Sequence, residues 1–236
     1  MKTILSLLQF TTILPLGKPQ DLEQFARSSY VYPLAGYVIG GLVALSVYFI
    51  ANPTIAAAVA VALLLIITGA HHFDGLLDLG DGLMAHGDPE NRIRALTDRN
   101  VGAGAIALGI AVTLLLFAGL QEAISIACTL IIGEVCAKFS MAFLTAYGTP
   151  FHEGMHSYLY QFSHPVFPVI SFLLCLPLFL LPVAPVKLFA AMILMILCPL
   201  ILLGISQRIF GGINGDVVGA SNEITRALVI VGIALL

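Results

Sequence analysis

Apolar runs of membrane-spanning length alternate with short polar stretches along almost the whole of this chain. A run of about twenty apolar residues crosses a hydrocarbon core of about 30 Å as a helix, which pairs its own backbone groups where no water can. The first run extends from about Tyr30 to Ile50 and closes at the turn Asn52-Pro53; the second covers about Thr54 to Ala70. After a polar stretch over His71–Val101 come two more, about Ala103–Leu120 and Ala123–Ala146. A second polar stretch, Tyr147–Pro165, leads to Val166–Leu181 and Val186–Ile205. A third, Ser206–Asn222, leads to an apolar tail ending at Leu236 that is short for a full span. The segment Met1–Leu16 is apolar behind Lys2, but Pro15-Leu16-Gly17 ends it early and no small-residue cleavage site follows. It reads as a retained helix, lying on the membrane surface or partly inserted. The expected fold is all-α: a polytopic transmembrane helical protein of about six or seven membrane helices, forming one domain over residues 1–236.

Basic residues orient the array. With the N-terminus in the cytoplasm, Lys2, Lys18, Arg27, Arg92, Arg94, Arg99 and Arg208 lie inside and Lys187 alone outside. All three polar stretches then face the cytoplasm, so active-site loops are expected on the cytoplasmic side of the cell membrane. Composition agrees: 59% of residues are hydrophobic and 10% charged, against about 25% charged in soluble domains. Ten basic and thirteen acidic residues leave no basic field for nucleic acid. Cys128, Cys136, Cys175 and Cys198 sit singly in apolar runs and read as small buried hydrophobes. Apolar helix faces can meet lipid or another subunit, so a homo-oligomer is compatible with the sequence.

The chemistry gathers in the first polar stretch. Asp74, Asp78 and Asp81 are spaced i, i+4, i+7, which places three carboxylates on one helical face directly beyond an apolar span. Partly desolvated, such carboxylates repel one another, and a hard divalent cation such as Mg²⁺ or Mn²⁺ relieves the repulsion. Gly75, Gly80 and Gly82 each weaken a helix by about 1 kcal/mol, a cost understood if a ligand or another backbone must come close. His71 and His72 read as ligands, as a general base, or as interfacial histidines. Downstream, Arg92, Arg94, Asp98 and Arg99 precede Val101-Gly102-Ala103-Gly104. Arginines beside a metal-binding face suit phosphate oxygens, and the glycines let a helix start close to an anion, although cytoplasmic loops carry arginine in any case.

The third polar stretch, from Phe210 to Glu223, repeats the pattern. Asp216 and Glu223 are seven apart on one face and follow a glycine-rich turn through Asn214; they read as a second metal site or as the anchor for an arginine. In the middle stretch, His152-Glu153-Gly154-Met155-His156 reads as a loop over the substrate, and in the fourth span Glu134 and Lys138 are placed to pair at i, i+4. No P-loop, Rossmann fingerprint or nucleophile elbow is present.

Three segments in order carry a family resemblance. Thr68 to Gly82 resembles T-G-G-x-H-x-D-G-L-x-D-x-x-D-G, Asp98 to Ala105 loosely resembles D-x-R-x-G-x-x-G, and Gly211 to Glu223 resembles G-G-x-T-G-D-x-x-G-A-x-x-E with Asn214 in the threonine position. Thr11 to Pro15 and Tyr32 to Gly36 are similar to its N-terminal elements. With these, the chain resembles the cobalamin synthase family, the adenosylcobinamide-GDP ribazoletransferases. The resemblance implies a membrane-embedded transferase that joins adenosylcobinamide-GDP to α-ribazole or its 5′-phosphate, releases GMP and needs Mg²⁺. It implies Asp74, Asp78 and Asp81 as metal ligands, Arg99 and Arg94 on the phosphates, and His72 as general base. Asp98, Gly102, Asn214, Asp216 and Glu223 are implied to complete the substrate site. Two rival readings are a CDP-alcohol phosphotransferase-like enzyme, whose D-G-x-x-A-R motif is not reproduced here, and a divalent-cation or proton-coupled transporter with carboxylates near the bilayer midplane.

Overall fold

In the computed structural model, which describes residues 2–236, the chain folds as twelve α-helices joined by turns, with two short 3₁₀ segments. Met1, the first residue of the expected N-terminal helix, lies outside the described residues. The helices are α1 (Lys2–Thr11), α2 (Leu22–Ala26), α3 (Tyr32–Val47), α4 (Pro53–Ile67), α5 (His71–Met84), α6 (Pro89–Leu96), α7 (Ala103–Gln121), α8 (Ile126–Tyr147), α9 (Met155–Gln161), α10 (Phe167–Cys175), α11 (Pro185–Phe210) and α12 (Gly215–Ala234). Five stretches are long and apolar enough to cross a membrane: Ser29–Val47, which ends in α3, and the helices α7, α8, α11 and α12; a sixth arises if α4 and α5 together make one broken span.

Several helix starts follow from local sequence. Asn52 accepts a hydrogen bond from the N–H of Ile55 ahead of Pro53, which needs no donor in the first turn of α4. Asp88 caps α6 in the same way, ahead of Pro89. The α4–α5 break is made by two successive left-handed residues, Gly69 (φ 61°) and Ala70 (φ 55°), and the chain turns through 94° there. At the fifth apolar run Pro177 interrupts the α-helix, which continues from Leu176 to Leu180 as a 3₁₀ segment too short to cross a membrane by itself. The C-terminal tail is instead a full twenty-residue helix, because α12 begins at Gly215, inside the stretch expected to be a polar loop.

α8 and α12 form the centre of the bundle, 72% buried over their most apolar windows, whereas α7 and α11 are only 39% buried. The outer faces carry exposed apolar side chains such as Leu45, Phe49, Ile110, Leu114, Ile193 and Ile201, as a lipid-facing surface requires. α3 lies backbone to backbone on α8 through Gly36 and Gly40, four apart. A Cβ at these positions would stand 2.6 Å from the Val135 Cα and 2.9 Å from the Ile131 Cα, the close approach that paired small residues permit between membrane helices. Gly40→Leu is therefore expected to separate α3 from α8 and destabilise the protein by about 3 kcal/mol, the upper range for overpacking. A melt in detergent would read this as a lower Tm, and an unchanged Tm would contradict the contact.

Candidate active site

Three helix ends converge to build the polar end of the bundle. Gly75 of α5 packs on Asp216 in the first turn of α12, where a Cβ would be 2.9 Å from the Asp216 Cα, and Gly80 of α5 packs on the backbone of Gly104 in the first turn of α7. Gly75 and Gly80 are thus explained by approaching backbones, whereas Gly82 leaves room for the side chains of Leu96 and Phe210. Because α12 and α7 both begin at this level, the Asp74–Asp81 face stands at the mouth of the bundle, not midway along its spans. The loop after α8 is pinned here too: the Ile213 N–H donates to the Thr149 carbonyl at 2.9 Å and the Phe151 N–H to the Ile213 carbonyl at 3.3 Å.

α5 is helical over the whole predicted stretch, and Asp74, Asp78 and Asp81 face one cleft of about 340 Å³. Asp216, Asp98 and Arg99 line the same cleft. Five carboxylates therefore face one guanidinium across a small space, an arrangement that favours a cation or a cation-bearing polyanion. The carboxylates differ in how free they are. Asp81 is committed to α7, accepting the N–H of Gly102 at 2.7 Å and that of Ala105 at 2.9 Å. The anion at this helix N-terminus is the protein's own side chain, and Gly102, expected to meet substrate, is fully occupied in holding it. Asp216 accepts from the Asn214 amide at 2.6 Å, while Asn214 caps α12 by accepting from the Val217 N–H at 3.1 Å. Asn214 is therefore a buried positioning residue that does not face the cleft. Asp98, fully exposed, is held below the usual carboxylate range by the backbone N–H and side-chain amide of Asn100, and stays ionised. Of the five cleft carboxylates, only those of Asp74 and Asp78 accept no hydrogen bond.

The donor set suits Mg²⁺ of one kind. No three His, Cys, Asp or Glu side chains among the described residues close into a metal cage. Mg²⁺, however, is commonly held by one or two carboxylates, its remaining positions taken by water and substrate phosphate. Asp74 and Asp78, with Asp216 beside them, offer hard oxygen ligands on one side and leave the cleft open on the other.

Three expected site residues lie elsewhere. His72 projects about 160° around α5 from Asp74 at 100° per residue, and it lines a separate cavity behind the helix. It is buried and does not face the acidic cleft. Arg94 is exposed on α6 and does not line the cleft, and Arg92 donates to the Leu83 carbonyl at 2.8 Å, tying off the end of α5. Glu223 shares the Asp216 face of α12 but lies about 10 Å deeper along the axis at 1.5 Å per residue. There it joins a buried network that the sequence reading missed in part. Arg226 pairs with Glu223 and, at 2.7 Å, with Glu134 of α8; Lys138 donates to Asn222 at 2.7 Å, and Asn222 to Glu223 at 3.0 Å. Two acids and two bases, all buried, neutralise one another mid-bundle. The spacing of Glu223 and Arg226, three apart within the tail, is the signal that could have revealed it.

A profile described as cobalamin-5-phosphate synthase matches residues 3–234. Relatives named adenosylcobinamide-GDP ribazoletransferase are similar to the chain over most of their length. The one from Methanococcoides burtonii is 32% identical, covering 94% of this chain and 87% of its own, and that from Halorubrum lacusprofundi is 36% identical, covering 93% and 91%. One from Methanocella arvoryzae is 35% identical, covering 96% and 93%. No solved structure matches the chain. An all-helical bundle with an acidic cleft at the mouth of its spans, matched to one family over residues 3–234, belongs to the cobalamin-5-phosphate synthase family.

Proposed function

We propose that the protein joins adenosylcobinamide-GDP to α-ribazole or its 5′-phosphate, with the acidic cleft as the place of phosphoryl transfer. The observation that carries this reading is the cleft itself, with the free carboxylates of Asp74 and Asp78 and the exposed guanidinium of Arg99 facing one space. A hydroxyl of the ribazole sugar attacks the phosphorus attached to the cobinamide arm, a new P–O bond forms, and the phosphoanhydride bond to GMP breaks. The hydroxyl proton passes to a cleft carboxylate, since His72 faces away. Asp74 and Asp78, with Asp216, would hold Mg²⁺, which supplies neutralisation of the charge on the pyrophosphate when bound. Arg99 steadies phosphate oxygens as a bidentate donor, while Asp81 and Asn214 keep the first turns of α7 and α12 where the cleft needs them.

With the basic residues of the loops counted as cytoplasmic, the cleft opens to the cytoplasm, where a nucleotide-bearing substrate is at hand. The purified full chain, given both substrates in detergent, is expected to release GMP with Mg²⁺ and to stop when EDTA is added. Release unaffected by EDTA would remove the metal from this reading, and no release would remove the reaction.

A further inference from the structure

Behind α5, on the side away from the carboxylates, lies a cavity of about 280 Å³ that the phosphoryl chemistry does not use. Phe10, Met141, Met155 and Leu159 give it an apolar wall. Its polar members are unusual in one respect. Tyr32, His72, Thr145 and His156, from four different helices, line it, and each carries a buried polar atom with no hydrogen-bond partner: the two hydroxyls and the Nδ1 of each imidazole. Buried polar groups are rarely left unpaired, because each costs about 1–3 kcal/mol. The Tyr32 and Thr145 hydroxyls face each other, which leaves the two imidazole Nδ1 atoms as the groups that nothing in the chain completes.

His156 is kept neutral by burial, which lowers its pKa, and its Nε2 lies 2.8 Å from the Gly148 carbonyl. A carbonyl only accepts, so Nε2 carries the proton and Nδ1 is left as an acceptor. The wall thus offers an acceptor, two hydroxyls and a second imidazole nitrogen among apolar and aromatic surfaces, with no carboxylate or carboxamide. The wall lacks a carboxylate to take the adjacent N–H donors of guanine together, and its hydroxyls and imidazoles suit a bicyclic aromatic base with a single ring-nitrogen lone pair joined to a sugar that donates O–H. The volume lies just below the range for drug-sized small-molecule sites, about 300–1,000 Å³, which suits a ligand no larger than a nucleoside and excludes a corrin macrocycle. The cavity and the acidic cleft share no lining residue but border the same two helix starts: His71 and Gly215 line the cavity, while Asp74 and Asp216, three and one residues further on, line the cleft.

We propose that this cavity binds the aromatic base of the acceptor nucleoside and presents its sugar hydroxyl to the cleft across the α5–α12 edge. The assignment rests on the ribazole-transfer reading for the identity of the acceptor, and it is tested by binding as well as by turnover. Gly215→Leu adds a side chain at the cavity's rim where a Cβ meets nothing within 4 Å, so the backbone tolerates it; Thr145→Val removes one hydroxyl at constant shape. In equilibrium dialysis of α-ribazole against the full chain in detergent, Gly215→Leu is expected to raise Kd by at least about tenfold. Thr145→Val should raise it by about threefold to tenfold, as for one neutral hydrogen bond. The KM for the acceptor rises with Kd, and the KM for adenosylcobinamide-GDP stays unchanged. Wild-type affinity in both variants, an increase confined to the donor's KM, or no binding of α-ribazole by the wild type would each overturn the assignment. Binding that is sensitive to Gly215→Leu in a protein that releases no GMP would uphold the cavity while removing the reaction.

Discussion

Asp78→Asn is expected to lower GMP release by about 10²–10³-fold, the loss typical of removing one group that stabilises transition-state charge, with Tm unchanged. The reason lies in what Asp78 does not touch. Its carboxylate faces the cleft and supports no helix end, so an amide of the same shape leaves the packing intact and removes a charge that the reaction needs. Asp81, on the same face, separates function from architecture. Its two oxygens hold the N–H groups of Gly102 and Ala105 at the start of α7. Asp81→Ala should therefore cost stability of about 1 kcal/mol, as for a lost helix cap, and reduce activity by loosening the cleft wall. Parallel melts and GMP assays on the two variants decide between these roles. Equal loss of activity at equal Tm would show that Asp81 acts directly on the substrate.

Arg226→Met should produce the largest change in stability, about 3–5 kcal/mol, the usual consequence of stripping one partner from a buried ion network. Arg226 pairs directly with both Glu134 on α8 and Glu223 on α12. Without it two buried carboxylates are left with Lys138 alone, which lies 3.9 Å from Glu134 and donates instead to Asn222. The expected result is aggregation in detergent or a much lower Tm, partly restored when Glu134→Gln is added, because the second change removes one of the stranded charges. A melt unchanged by Arg226→Met would mean that the network adds nothing to the cohesion of the α8–α12 core. Among the described residues, the same pairing neutralises Glu134, Glu223, Lys138 and Arg226 midway along the spans and leaves the available carboxylates at the mouth.

Much of this architecture is legible in the order of residues, because helical periodicity is local. The i, i+4, i+7 spacing of Asp74, Asp78 and Asp81 places them on one face whatever surrounds them, and the structure gathers them in one cleft. The same 100° step would have placed His72 on the opposite side of α5. The membrane helices follow from apolar length, save where polar residues conceal one: α12 reads as short because Asn222, Glu223 and Arg226 dilute it, and only pairing with α8 makes those residues compatible with the interior.

What the sequence determined by itself is the all-helical membrane class, the carboxylate face and the family pattern, since each depends on composition, spacing or order along the chain. Only the tertiary structure decided which polar groups are free to act. Asp81 and Gly102 satisfy each other across 21 residues, Glu134 meets Arg226 across 92, and Tyr32, His72, Thr145 and His156 come to one cavity from four helices. A side chain's role depends on the neighbour that takes its hydrogen bonds. In a helical bundle that neighbour is chosen by how the helices pack, not by any spacing within one of them.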